Sequence, residues 1–218
     1  MIKESVDKRA RSARDQVDKF AERRTQLATA ALDALAELGY ARTSLREIAQ
    51  KSEFSHGVLH YYFSDKVELL THAVHLYEAV CVTRYDDIVA TSRTAEELRR
   101  EFTALMASTL LTDAPMHRLW YDVRNQSLFE DSFRGEIIEI DIRRQQMIAN
   151  VVQSFADLCG QPLLVSHAMA YALFDGLFHQ ALLRHLAGDP EASKILRHDA
   201  DALLDLIVGP ARAAAPGR

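Results

Sequence analysis

Apolar residues recur along most of this chain at steps of three, four and seven, the spacing of helices that bury one face. Phe20, Leu27, Ala31, Ala34 and Leu38 predict a first helix over 18–38, and Gly39 supplies its stop. Ser44 and Glu47 have the spacing of a capping box, which starts a short second helix ending near Lys51. After a break at Ser52, Glu53 and Phe54, Ser55 is a good N-cap for the compact run Gly57 to Phe63. A long fourth helix is predicted over 65–89. It carries one stripe of Val67, Leu70, Val74, Tyr77 and Cys81 and another of Leu69, Ala73, Leu76 and Val80, so it should pack against two neighbours. Thr94 with Glu97 caps a fifth helix, Asp113 and Pro115 open a sixth, and Asp131 to Leu158 reads as a seventh ended by Gly160. The eighth, over 163–187, is apolar nearly all round, and the ninth carries Leu196, Leu203, Leu206 and Ile207.

Composition agrees with that pattern. Of 218 residues, 48% are apolar and 26% charged, with only 8 Gly and 5 Pro, too few for the frequent turns of a sheet-rich fold. The expected class is all-α, with about nine helices. No apolar stretch approaches the roughly 18 residues of a membrane span, so no membrane partner is expected. The segment Met1 to Phe20 has basic residues without an apolar core, unlike a signal peptide. Cys81 and Cys159 lack CxxC spacing and suit a reducing, cytoplasmic setting.

The net charge of -5 hides a split. Residues 1–66 hold 12 Lys or Arg against 10 Asp or Glu, whereas 67–218 hold 14 against 21. Basic residues crowd before Thr25, either as a solvated tail or as an arm for nucleic acid.

Two short helices around a tight break, after a longer one, have the layout of a helix-turn-helix, whose second helix enters the major groove. Leu45, Ile48, Ala49, Phe54, Leu59 and Phe63 fall where they would fix the angle between the two, leaving His56, Gly57, Val58, His60, Tyr61 and Tyr62 facing outward. That surface contains no acid, as a phosphate-lined groove requires. Gly57 weakens its own helix by about 0.8–1 kcal/mol relative to Ala, which close backbone approach to DNA would explain. Catalytic signatures are lacking: there is no GxSxG, HExxH or P-loop, so no enzyme activity and no cofactor are expected. His72 and His75 have a spacing that two metal ligands could use, but no third ligand follows, and no metal is expected.

Gly39-Tyr40, Thr43-Ser44-Leu45, Ile48-Ala49, the run from Phe54 to Phe63, and Lys66, Glu68, Leu69 and Leu70 resemble the TetR-type transcriptional regulators. The resemblance covers 25–73. It implies an N-terminal three-helix DNA-binding domain, a C-terminal ligand-binding domain, and a dimer formed by the last two helices. By position, Ser44, Tyr62 and Lys66 look like phosphate contacts, and His56, Gly57, Val58, His60 and Tyr61 lie where the family touches bases or nearby backbone; Thr43 and Ser55 complete the expected DNA-binding set. The chain departs from the family pattern at Glu53, Val58 and His60. Glu53 stands where Gly is usual and should strain the turn if a left-handed backbone is needed.

The resemblance also implies an effector cavity, for which Tyr77, Phe102, Met106, His117, Trp120, Tyr121, Arg124, Asn125, Phe129, Phe133 and Met147 are the candidates. Trp120, Tyr121, Arg124 and Asn125 sit on adjacent turns and would form an apolar wall with a charge and an amide beside it. Ala168, Ala172 and Gly176 make a small-residue stripe on the eighth helix. With Leu203 and Leu206 they are the expected homodimer interface, pairing into a four-helix bundle. The expected organisation is therefore a flexible basic extension (1–17), a helix-turn-helix domain (18–66), an effector-binding and dimerisation domain (67–210) and a frayed tail (211–218). The reading is a dimeric repressor released from double-stranded operator DNA by a small molecule. A transcriptional activator with the same contacts is an alternative, as is a helical adaptor that binds protein.

Overall fold

A computed structural model describes the backbone over 2–209 and the side chains over 17–209. The chain divides into two compact units, Met1–Tyr77 and Glu78–Arg218. The division falls inside a helix rather than at the expected 66/67 boundary.

In the first unit, α1 (Ile2–Leu38) starts well before the expected position 18, because no Gly or Pro interrupts 1–38. The side chains of the expected basic extension before Val17, like the expected frayed tail, lie outside the described residues. Gly39 ends α1 with a left-handed φ of 79°, and its amide donates to the Leu35 carbonyl at 2.8 Å. Next come α2 (Leu45–Lys51), α3 (His56–Tyr62) and α4 (Lys66–Cys81). Leu27, Ala31, Leu35, Leu45, Ile48, Phe54, Leu59 and Phe63 are buried in this unit, so the small core falls where the periodicity placed it. Ala49 is only half-buried.

The expected long fourth helix stops at Cys81, and a turn over 82–85 leads into α5 (Asp86–Thr91). The second unit continues with α6 (Ala95–Thr112), α7 (Ala114–Gln126), a 3-10 turn (Asp131–Phe133), α8 (Arg134–Cys159), α9 (His167–Leu186) and α10 (Ala192–Ile207). The fold is all-α; the pairing between Leu163 and Val208 is one isolated bridge that ties the segment before α9 to the end of α10. No helix among the described residues is long and apolar enough to cross a membrane. The α6 capping box of Thr94 and Glu97 is present, and Gly160 closes α8 at a φ of 63°.

Candidate functional site

The first candidate site is the surface around α2 and α3. Ser44 caps α2: its hydroxyl accepts from the Glu47 amide at 3.3 Å, while its own amide donates to the Glu47 carboxylate at 2.7 Å. Ser55 caps α3 in the same way, accepting from the Val58 amide at 3.3 Å. Both serines are exposed, and each cap uses only a lone pair of the hydroxyl, which leaves the hydroxyl able to donate. His56, Gly57, His60 and Tyr61 are exposed, and Val58 and Tyr62 are half-buried. The imidazoles of His56 and His60 meet edge to face at 4.4 Å, and Phe20 supports Tyr62 at 4.8 Å. A Cβ built on Gly57 would meet nothing within 4 Å, so packing inside the protein does not demand this glycine.

Three expectations change here. Thr43 is buried, and its hydroxyl donates to the Gly39 carbonyl at 2.6 Å; it braces the α1–α2 turn rather than facing outward. The Lys66 ammonium is drawn inward to the Tyr40 carbonyl at 2.9 Å and lies 3.8 Å from the Tyr40 ring centre. Glu53 causes no left-handed strain, because no described non-glycine residue has positive φ; Ser52 makes the turn with an extended backbone, and its hydroxyl accepts from the Phe54 amide. Arg42 and Arg46, exposed on either side of Ser44, are cations that the motif reading passed over. Arg24 faces inward, over the Phe63 ring at 4.6 Å and 2.7 Å from Glu68. The Ser64 amide holds the Glu68 carboxyl below its usual range against partial desolvation, helped by the Ser64 hydroxyl and Arg24.

The second candidate site is a cavity of about 60 Å³ in the second unit. By that measure a water takes about 10–15 Å³, so it holds some four to six waters, or a small ligand. Of the candidate effector residues, Met106, His117, Tyr121 and Met147 line it. The rest of its wall comes from residues the sequence reading did not nominate, chiefly Arg84, Tyr85, Arg144, Tyr171, Phe174 and Asp175.

The other nominees lie elsewhere. Phe102 and Phe133 are fully buried in the core, and Phe102 packs edge to face on Tyr85 and Phe174. Trp120 is buried behind the wall with the Arg144 guanidinium 4.3 Å over its ring. Arg124 also sits behind it, bonded to Asp175 at 2.6 Å. Asn125 is exposed and Phe129 is 86% exposed, because α7 ends at Gln126 and its outer face turns to solvent. Tyr77 belongs to the first unit.

Charges at the cavity are paired. Arg144, buried, binds Glu78 through Nε at 2.8 Å and Nη2 at 2.5 Å; burial alone would lower its pKa, but the Glu78 carboxylate holds it raised. Arg84 binds Asp113 at 2.6 Å. Tyr121 donates to Asp175 at 3.0 Å and Tyr171 to Asp141 at 2.7 Å; burial, then the nearby carboxylates, push both phenols up. Burial pushes the Tyr85 phenol up to about 12. His117 is only 4% exposed, and burial, then Arg144 and Arg84, push it down to about 3, so it is neutral at physiological pH.

The expected interface residues divide as well. Ala168, Ala172, Gly176 and Leu206 are exposed, while Leu203 is only 7% exposed because α10 turns it toward its own protomer. Around them, Met169, Leu173, Leu183 and Leu186 leave an apolar stripe of α9 uncovered.

Residues 27–73 match the family described as bacterial regulatory proteins, tetR family. The chain is 29% identical over 192 residues to the HTH-type transcriptional regulator BetI of Burkholderia thailandensis, covering 86% of this chain and 94% of that protein. Among solved structures, a transcriptional regulator from Saccharomonospora viridis in complex with choline superposes with a TM-score of 0.71 at 19% identity, over 87% of this chain and all of that one. FadR from Bacillus subtilis, in complex with stearoyl-CoA, does so with a TM-score of 0.64 at 18% identity, over 84% of this chain and 96% of that one.

Proposed function

We propose that the chain is a helix-turn-helix transcriptional regulator of the tetR family, a cytoplasmic, homodimeric repressor that leaves its operator when a small molecule fills the cavity lined by His117, Tyr121 and Tyr171. The observation that carries this reading is the exposed face of α3. It is an acid-free surface of imidazoles, phenols and an unpacked glycine, capped by a serine and set beside a second serine-capped helix. Ser44, with Arg42 and Arg46, supplies phosphate contacts, and His56, Gly57, Val58, His60 and Tyr61 meet the groove. Lys66, at the start of α4 and bonded to the Tyr40 carbonyl, is a further phosphate contact of this surface.

A second copy covers the apolar stripe of α9 and the exposed Leu206 of α10, where Gly176, with nothing within 4 Å of a Cβ, permits close helix approach. The cavity size favours a small effector, of the order of the choline seen in the S. viridis protein rather than the stearoyl chain seen in FadR. The helix α4 runs from Lys66 to Cys81; Cys81 lines the cavity, and Glu78, one turn before it, is ion-paired with the lining Arg144. A ligand that favours one position of Glu78 and Cys81 thereby acts on the helix that also holds Lys66.

Selection from a random duplex library at about 0.1 M salt tests the reading. The expected product is a near-palindrome with half-sites about one helical turn, 34–36 Å, apart or somewhat more. Failure to enrich any sequence, with no DNA retained at low salt, would favour the protein-binding adaptor instead.

A further inference from the structure

The cavity has one feature that its size and aromatic wall leave unexplained. Six of the lining polar side chains, Arg84, Arg144, Asp175, Tyr121, Tyr171 and Thr109, have protein partners: Asp113, Glu78, Arg124, Asp175, Asp141 and the Met106 carbonyl respectively. His117 is different. Its Nε2 faces the Arg84 guanidinium at 3.5 Å, and its Nδ1 is buried without a hydrogen-bond partner. A guanidinium has hydrogens and no acceptor, so the nitrogen facing it must be the unprotonated one. Nδ1 therefore carries the proton of the neutral ring. A buried N–H without an acceptor costs about 1–3 kcal/mol. Side-chain packing does not relieve it, since the ring lies against Phe178, 4.4 Å between centres, which offers no lone pair.

The ligand's charge follows from the same inventory. Each lining charge already has its counter-ion, so an ionic ligand would enter a partly desolvated site with no charge left to neutralise it. A cation would also meet two guanidiniums among the lining groups, and an anion would meet the Asp175 carboxylate. The apolar wall of Phe174, Phe178, Met106, Met147 and Ile148 suits a compact hydrocarbon body.

Resting on the effector reading of this cavity, we propose that it takes a small uncharged molecule with one hydrogen-bond-accepting oxygen, an alcohol or a carbonyl, which receives the Nδ1–H of His117. His117 is thus the residue that distinguishes such a ligand from a hydrocarbon of the same shape, while the neutral pairs around it reject ions.

Three probes of one shape test this by calorimetry on the full-length protein: choline, its uncharged carbon isostere with tert-butyl in place of trimethylammonium, and the corresponding tert-butyl carboxylate. The isostere should bind most tightly. His117→Phe, which keeps a ring but no donor, should weaken it about tenfold, the cost of one buried hydrogen bond. His117→Asn, whose amide can return a donor near the Nδ1 position, should restore most of the loss and guards against a folding defect in the first variant. Tighter binding of choline or of the carboxylate overturns the proposal and leaves the effector cavity standing, as does an isostere affinity unchanged in His117→Phe. Failure of all three probes to bind overturns it too. The effector reading itself falls on a separate result, that no compound of a small-molecule library releases bound DNA.

Discussion

The two units use polar groups in opposite ways. In the first, the groups assigned to DNA lie within one stretch of chain, from Arg42 to Lys66, and most of them face solvent. In the second, the cavity draws on residues from Cys81 to Phe178, and its charges are turned inward in pairs such as Arg144 with Glu78. A surface that must meet a polyanion needs only local geometry, which two serine caps fix. A cavity must be assembled from several helices and must neutralise every charge it buries. Substitutions should therefore act mainly on binding in the first unit and mainly on stability in the second.

The strongest test of that contrast is Glu78→Ala. It leaves the Arg144 guanidinium buried beside Trp120 with no counter-ion, which should cost about 3–5 kcal/mol of unfolding free energy in urea titration. Joint replacement, Glu78→Leu with Arg144→Met, should recover most of that loss, since an apolar pair of similar volume is often neutral. A single variant within about 0.5 kcal/mol of wild type would show that the inward charges carry no weight, and the contrast would fail.

Glu78 and Arg144 also show why one unit was legible in the sequence and the other was not. The capping box at Ser44, the N-cap at Ser55 and the glycine stop at Gly39 are local signals, and each falls where the periodicity put it. The cavity depends on which helix faces come together. Phe174 and Asp175, on α9, were hidden in a segment read as an apolar dimer helix, and Trp120 and Arg124 lie just behind the wall they were expected to form. A usable signal did exist. Glu78 sits between Val74 and Cys81 on an apolar stripe, and Arg144 sits between Ile140 and Ile148 on another; a lone charge on a buried face implies a partner. The break after Cys81 had no such mark, since 82–85 contains neither Gly nor Pro. Thr43 and Lys66 were placed by motif, and the motif does not record that a hydroxyl and an ammonium can turn back to backbone carbonyls.

Acid should act on the second unit through His117. Its folded pKa, about 3, lies below the roughly 6.5 of the unfolded chain, so as pH falls the unfolded state takes up the proton first. The contribution is whole above pH 6.5 or so and is lost progressively toward pH 3. Between pH 7 and pH 5, wild type should lose about 2 kcal/mol more than His117→Phe in urea titrations. Equal losses would mean that the ring is not held neutral in the fold.

In the first unit, Gly57→Ala should separate the two quantities. Nothing lies within 4 Å of the added methyl, so folding stability should hold or rise, by up to about 1 kcal/mol. Affinity for the selected operator should fall about tenfold, within the 1–3 kcal/mol of one recognition contact. An unchanged affinity, read by fluorescence anisotropy, would remove close backbone approach as the reason for a glycine here.

The smallest effect separates capping from phosphate binding at Ser44. The cap uses a lone pair of the hydroxyl, since the Glu47 amide is the donor, and the hydroxyl hydrogen can still be given to a phosphate oxygen. Ser44→Ala loses both functions and should cost about 1 kcal/mol of stability; Ser44→Gly, a tolerable N-cap, should cost only a few tenths. If the hydroxyl touches phosphate, both variants bind operator more weakly by a similar few-fold factor, although only one is appreciably destabilised. If Ser44→Gly binds as wild type does, the serine serves the helix alone, and the phosphate contacts of this turn pass to Arg42 and Arg46. Each of those should then lower the salt dependence of binding by about 0.9 per phosphate released when replaced by Ala.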